Sequence, residues 1–210
     1  MLFSQRLPSM SLQSRVSPFG EFIATPARGL LMGNRGGRLH DDARKLTARR
    51  WASKQWICCR LEFANRHRSV WGDGYTELFF VDEVTAFAAG HRPCFECRRE
   101  DAERFAALFS GTDQRASAPA MDKVLHAERL AGKAKRLHRR AIDTLPDGAM
   151  ITLDGEVFAL KAERLLRWTP EGYAEARPLP SGTDVDVLTP PSILAVLAAG
   201  YRPLWHPSAA

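Results

Sequence analysis

Two cysteines at C-x-x-C spacing, Cys94 and Cys97, are the residues of this chain whose types and spacing most clearly predict chemistry. Two intervening residues allow a tight turn that directs both sulfurs at one ion, and thiolate sulfur is a preferred ligand of zinc. The chain has four cysteines, and the other two are the adjacent Cys58 and Cys59. The sequence therefore predicts a zinc site formed by Cys94 and Cys97 with Cys58, Cys59 or both.

The adjacent cysteines lie in a segment, residues 56–63, whose apolar residues alternate as they do in a β-strand. Neighbouring residues of a strand point to opposite faces, so both cysteines could bind one metal only where the strand ends or bulges. If only one of them binds, a histidine completes a Cys3His site. The candidates for that histidine are His67, His91 and His126.

A second arrangement predicts catalysis instead. Zinc-dependent nucleobase deaminases combine an H-x-E motif with P-C-x-x-C, and this chain has His126-Ala127-Glu128 and a proline before Cys94. Cys94, Cys97 and His126 would then hold the metal, and Glu128 would move protons to and from a metal-bound water. In those enzymes H-x-E comes first, whereas here it comes second. The alternative function is a zinc-dependent hydrolase or deaminase-like enzyme with His126 and Glu128 as catalytic residues.

The formal charge of +6 favours a polyanionic partner, and arginine is well suited to bind phosphate because its guanidinium group is a planar fork. Nucleic acid is the expected partner, as DNA or RNA, although no nucleic-acid-binding motif accompanies the charge. A solvated, arginine-rich surface without a partner is the other interpretation. The predicted nucleic-acid contacts are Arg66, Arg68, Arg92, Arg98 and Arg99.

Residues 85–98 read T-A-F-A-A-G-H-R-P-C-F-E-C-R. This stretch resembles the metal-binding domain of the Ada DNA-repair protein, which ends its zinc module with a small apolar helix, then A-G-aromatic-R-P-C-x-x-C and a basic residue. The resemblance extends over residues 56–98, because the upstream cysteines lie roughly where that family has its first ligand pair. It implies a cysteine-ligated zinc site near DNA.

The first ligand pair departs from the Ada pattern. In that family three residues separate the pair, and one of its cysteines accepts a methyl group from a DNA phosphotriester, whereas Cys58 and Cys59 are adjacent. The methyl transfer is therefore not carried over to this chain. An interaction module that binds no nucleic acid is a further alternative function.

The elements that must position these residues predict an α+β fold: small antiparallel hairpins and short helices around a zinc site, followed by a C-terminal α+β section. We expect a flexible N-terminus at residues 1–18, a zinc-binding domain at 19–140 and a C-terminal section at 141–210, with the last two able to pack as one domain. Capping residues, apolar periodicity and turn signals predict helices at about 41–53, 83–89, 99–109, 123–139 and 192–199, and a hairpin at 150–160.

Cysteine usage indicates the compartment. Four cysteines, two of them adjacent, make a poor disulfide framework and favour metal binding in a reducing cytoplasm. No run of about eighteen apolar residues is present, so no membrane partner is expected.

Overall fold

The computed structural model describes residues 11–65, 69–112 and 114–210, and they form a mixed α+β structure with several sheets. None of the helices in these ranges is long and apolar enough to cross a membrane. The helices are α1 (Glu83–Ala88), α2 (Arg99–Ser110), α3 (Ala118–Arg129) and α4 (Pro191–Ala198). The strands are β1 (Arg15–Val16), β2 (Phe22–Ile23), β3 (Leu31–Asn34), β4 (Ile57–Arg60), β5 (Leu78–Phe80), β6 (Arg92–Pro93), β7 (Leu130–Ala131), β8 (Ala134–Lys135), β9 (His138–Ala141), β10 (Met150–Leu153), β11 (Glu156–Lys161), β12 (Arg164–Thr169), β13 (Gly172–Pro178) and β14 (Asp184–Val187).

The first sheet brings the two cysteine-containing segments together. Its strand order is β2-β1-β5-β3-β4-β6, and β3 runs antiparallel to both β4 and β5. The short strand β6 runs parallel to β4 and places Pro93 opposite Cys58. The chain therefore enters the C-x-x-C turn beside the strand that carries the other two cysteines.

The second sheet is antiparallel throughout and has the order β13-β12-β11-β10-β14-β9. The predicted hairpin at 150–160 is confirmed by the pairing of β10 with β11. Its two turn residues, Asp154 and Gly155, both have positive φ angles, of 55° and 80°. This is the backbone conformation that makes an Asp-Gly pair a hairpin signal.

Helix α1 lies at the centre of the fold, and every one of its residues is buried. Val84 and Ala88 pack against the second sheet, Ala86 packs in the core of the first sheet, and Phe87 packs among the other helices. Asp82 caps the start of this helix, as sequence preferences predict for an aspartate before residues 83–89, because its carboxylate accepts a hydrogen bond from the Thr85 backbone N–H at 2.8 Å.

Two adjacent carboxylates at the start of α1 hold the C-terminal section in place. Asp82 accepts a hydrogen bond from the Tyr173 hydroxyl at 2.9 Å. Glu83 accepts from the Tyr201 hydroxyl at 3.0 Å and from the Leu204 backbone N–H at 2.9 Å. Burial raises the pKa of both carboxyl groups, so these hydrogen bonds offset a real cost of desolvation.

The predicted helix at 123–139 is wrong at both ends. Helix α3 begins earlier, where the Ser117 hydroxyl accepts from the Ala120 backbone N–H. It ends at Arg129, and the chain turns back through the β7–β8 hairpin. Gly132, with a φ of 64°, occupies the turn of that hairpin. In the sequence, Gly132 looks like an interruption within a longer helix. In the structure the helix has already ended, and the glycine allows the hairpin turn because it adopts the left-handed conformation readily.

Two further expectations differ from the structure. The predicted helix at 41–53 is absent from this described stretch, which forms turns, and the Asp41 carboxylate accepts from the Lys45 backbone N–H. A side chain that bonds its own local backbone in this way competes with helix formation. Of the N-terminus predicted to be flexible, residues 1–10 lie outside the described residues, and Arg15 and Val16 form a strand between β2 and β5.

Candidate metal centre

Three cysteine sulfurs meet where β4 adjoins the turn after β6. The Sγ atoms of Cys59, Cys94 and Cys97 all lie within 4.8 Å of one another. In the described part of the chain, no other group of three or more His, Cys, Asp or Glu side chains is close enough to hold a metal ion. The structure thus brings Cys59, and not its neighbour Cys58, to the predicted pair.

Backbone hydrogen bonds fix this geometry. The Cys94 N–H donates to the Cys58 carbonyl at 3.0 Å, which extends the β4–β6 pairing to the first cysteine of the turn. The Arg98 N–H then donates to the Cys94 carbonyl at 3.0 Å and closes the turn so that Cys97 faces back towards β4. The N–H groups of Glu96 and Arg60 point at sulfur, at 3.4 Å from the Sγ atoms of Cys94 and Cys97 respectively.

Cys58 lies on the other face of β4. Its side chain is fully buried in the core of the first sheet, and its Sγ accepts a hydrogen bond from Arg98 Nη1 at 3.0 Å. Burial raises the pKa of this thiol. The adjacent cysteines therefore follow the ordinary alternation of a strand, and the structure does not support Cys58 as a ligand.

The crowding of three sulfurs gives them unequal acidities. Hydrogen bonds from the thiols of Cys59 and Cys97 lower the pKa of Cys94. The same contacts raise the pKa of Cys59 far above its usual range, because its proton is shared with the two neighbouring sulfurs. Thiolates bind metals and thiols do not, so an ion at this position would displace the remaining protons.

The three sulfurs open onto a cavity of about 550 Å³. Cys94 and Cys97 are buried, and Cys59 is partly exposed. The cavity gives a metal bound by the three sulfurs room for a further ligand on its open side. Besides the cysteines, the polar residues that line it are Asn34, Arg60, Glu62, Asn65, Tyr75, Glu77 and Glu96.

His126 is not near these sulfurs. Its ring packs edge-on against Trp51 at 5.4 Å between centroids, and its Nδ1 lies 3.0 Å from an Nη2 atom of Arg129. Burial lowers its pKa. The structure assigns His126 to an aromatic and arginine-rich cluster rather than to the metal site.

Glu128 is occupied at the start of another helix. Its two carboxylate oxygens accept hydrogen bonds from the backbone N–H and the hydroxyl of Ser192, at 3.0 Å and 2.6 Å, in the first turn of α4. A carboxylate at a helix N-terminus is stabilised by the helix dipole. The described residues thus do not form the predicted catalytic arrangement, in which His126 joins Cys94 and Cys97 and Glu128 serves as the acid/base.

The other candidate histidines are placed as follows. His91 is completely buried, and its Nε2 accepts from Arg35 Nε at 3.4 Å. Its ring packs against Phe80, with centroids 4.7 Å apart, and it does not join the sulfur cluster. His67 lies outside the described residues, as do Arg66 and Arg68.

Arg92 and Arg98, predicted to contact nucleic acid, are internal. Arg92 is 1% exposed, and its guanidinium group forms a bidentate pair with Asp122 at 2.9 Å and 2.8 Å. Arg98 is 5% exposed and lies 2.7 Å from the Glu83 carboxylate. Burying an arginine requires a partner for its charge, and here the partners are distant in sequence. Both arginines stabilise the fold and present no charge to a phosphate backbone.

Arg99 is the one predicted nucleic-acid contact, among those that the structure describes, that reaches the surface. Its side chain is 76% exposed and lies 3.2 Å from Glu103, one turn along α2. An exposed pair of this kind contributes little to stability and leaves the guanidinium group accessible.

Comparison with protein-family models, curated proteins and solved structures found no match to this chain.

Proposed function

We propose that this protein binds one zinc ion through Cys59, Cys94 and Cys97, with a fourth coordination position that faces the cavity. The observation that carries the proposal is the convergence of three sulfurs from two separate segments within 4.8 Å of one another. Two backbone N–H groups directed at these sulfurs also favour thiolate over thiol.

Zinc is favoured by the ligand set. Soft sulfur ligands select zinc, copper(I) or iron–sulfur clusters over hard cations such as magnesium or calcium. Three protein ligands leave one position of a zinc tetrahedron for water or another ligand, as in zinc sites that bind or activate a molecule. The proposed centre differs in this respect from a closed four-thiolate site.

The resemblance to the Ada metal-binding domain extends the proposal to a zinc-containing protein associated with nucleic acid. The net charge of +6 supports this extension, because a basic surface attracts phosphate backbones. Methyl transfer is not part of the proposal. A hydrolase built on His126 and Glu128 is not part of it either, because both side chains are engaged elsewhere.

Zinc analysis of a Cys94→Ser, Cys97→Ser double variant tests the metal site. The wild-type protein should contain about one zinc per chain after gel filtration, and the double variant should contain none, because only one thiolate remains. Its melting temperature should fall together with the zinc content. His126→Ala is the control, and we expect it to keep the full zinc content.

Two results would refute this proposal. One is full zinc retention in the double variant. The other is a wild-type protein that takes up no zinc when it is purified under reducing conditions with zinc present.

A further inference from the structure

A second cavity, of about 430 Å³, is lined by five cationic side chains and one carboxylate, Glu21. None of the residues that line it also lines the cavity beside the cysteines. Its volume falls in the range of small-molecule binding sites. The cationic residues come from segments far apart in sequence and are Arg35, Arg50, Arg129, Lys133 and Lys135.

Three of these cations are hydrogen-bonded to neutral groups, and two of them, Arg35 and Arg129, are buried, whereas Lys135 is partly exposed. Arg35, 1% exposed, donates to the carbonyls of Gly20 and Arg50 at 2.8 Å and 3.3 Å. Lys135, on β8, donates to the Ala88 carbonyl. No ion pair joins Arg35, Arg129 or Lys135 to a carboxylate of a described residue.

Arg129 is likewise buried and hydrogen-bonded to backbone carbonyl groups. It is 1% exposed, and its two Nη atoms donate to the carbonyls of Gly90 and Lys54 at 2.8 Å and 2.7 Å. Its buried Nε has no hydrogen-bond partner among the residues that the structure describes. A Cβ atom on Gly90 would lie 2.6 Å from the Arg129 Cδ, so the glycine of the A-A-G-H-R-P stretch also makes room for this arginine.

An aromatic ring holds the two arginines close together. The Cζ atoms of Arg35 and Arg129 lie 3.8 Å and 3.9 Å from the centre of the Trp56 ring. Cation–π contact offsets part of the desolvation of each guanidinium group. It does not neutralise their charge, so two like charges lie against the same ring, and neither forms an ion pair with a carboxylate of a described residue.

Burial and the neighbouring positive charges disfavour the protonated form of these groups. Burial, together with the charges of Arg35 and Arg129, lowers the pKa of Lys135 to about 7. Burial, followed by the charges of Arg129 and Arg50, lowers the pKa of Arg35. Burial also lowers the pKa of Arg129, to about 9, although the Asp122 carboxylate acts in the opposite direction. Buried charges are normally paired, so an anionic ligand in this cavity would stabilise the cluster.

We propose that this cavity is a binding site for a phosphate group, in which Arg35, Arg129 and Lys135 surround the phosphate oxygens and Arg50 and Lys133 contact it from the rim. Guanidinium groups bind phosphate as planar forks, and their hydrogen bonds to it are strengthened by charge. Glu21 is the only carboxylate of a described residue that lines the site, so an anion meets little opposition there.

The phosphate could belong to a free nucleotide or to the end of a nucleic-acid strand, since both present the same terminal phosphate group. Phe19, Ala48 and Leu130 give the cavity an apolar side that an organic portion of the ligand can contact. The faces of Trp56 are approached by the two guanidinium groups, so base recognition by stacking on Trp56 is not expected.

Calorimetric titration with inorganic phosphate, AMP and a 5′-phosphorylated dT oligonucleotide, at constant ionic strength, tests the proposal. We expect saturable binding of AMP and a rise in melting temperature of about 5 to 10 °C at a hundredfold excess over the dissociation constant. Tighter binding of the phosphorylated oligonucleotide than of AMP and of the same oligonucleotide with a 5′-hydroxyl identifies a strand end as the source. Binding no tighter than that of AMP identifies a free nucleotide.

Lys135→Met is the test variant because methionine keeps an unbranched apolar side chain and removes the charge together with the hydrogen bond to the Ala88 carbonyl. It should weaken phosphate binding by about tenfold to a hundredfold, the loss expected for one charge-assisted hydrogen bond. Without ligand the variant should be at least as stable as the wild type, because a disfavoured charge has been removed. A purely structural lysine would lower stability and leave phosphate binding unchanged.

Lys123→Gln is the matched control. It removes one positive charge from α3, the helix that ends at Arg129, at an exposed position outside the cavity, and it should leave binding unchanged. Equal weakening by Lys123→Gln and Lys135→Met would overturn the proposal in favour of non-specific attraction. Failure of all three probes to bind the wild-type protein would overturn it as well, and neither outcome depends on the zinc site.

Discussion

Cys59→Ala should abolish stable zinc binding, whereas Cys58→Ala should leave the zinc content of the protein unchanged. The two residues are neighbours in β4, but only the Cys59 sulfur joins those of Cys94 and Cys97. Structural zinc contributes about 10 to 16 kcal/mol in small zinc domains, so one of three thiolates carries several kcal/mol. We therefore expect the zinc affinity to fall by about a hundredfold or more in Cys59→Ala, measured by competition with a chromophoric chelator.

Cys58→Ala serves as the matched control, because it removes the same atom from the adjacent residue. It deletes the acceptor of the Arg98 hydrogen bond in the core and should lower the melting temperature while retaining zinc. The opposite pattern, with zinc lost from Cys58→Ala and kept in Cys59→Ala, would contradict the observed orientation of β4. Equal zinc loss in the two variants would contradict it too.

Asp122→Ala should destabilise the protein by about 3 to 5 kcal/mol, the usual cost of breaking a buried ion pair by removing one partner. The side chains of Arg92 and Asp122 are only 2% and 10% exposed, and the pair joins β6 to α3 through two hydrogen bonds. Without the carboxylate, the Arg92 guanidinium group keeps its charge inside the protein, with the Pro93 carbonyl as a hydrogen-bond acceptor. Urea unfolding of the variant and the wild type measures the difference.

Asp101→Ala is the control for this effect. Asp101 also pairs with a buried arginine, Arg98, but its own side chain is 45% exposed and Glu83 remains to neutralise that arginine. The expected loss is about 1 kcal/mol or less. A loss of similar size in Asp122→Ala would mean that Arg92 is not held as the structure describes.

Local patterns in the sequence predict the parts of the fold that local physics determines. The Asp82 cap, the glycine that ends α1, the Asp-Gly hairpin and the strand that carries Cys59 all depend on interactions within a few residues. Cys94 and Cys97 could be predicted as a pair for the same reason. The alternation of a strand also implies that at most one of Cys58 and Cys59 joins them in a regular strand, but not which one.

The arginines show what local patterns do not determine. Arg92 and Arg98 look like surface charges in the sequence, and their burial depends on carboxylates that lie 30 and 15 residues away. The cationic cavity depends even more on contacts between distant segments. Arg35, Arg129 and Lys135 lie together only because the first sheet, α3 and the β7–β8 hairpin pack against one another. Spacing along the chain carries no signal for such contacts.

X-ray absorption spectroscopy of the zinc-loaded protein tests the central claim most directly, because it counts the sulfur atoms bound to the metal and measures their distance. We predict three sulfurs at about 2.3 Å and one lighter atom, oxygen or nitrogen, in the fourth position. The sulfur count should fall to two in Cys59→Ala if residual zinc can be loaded, and stay at three in Cys58→Ala. Four sulfurs in the wild-type spectrum, or zinc bound without sulfur, would contradict the three-cysteine centre.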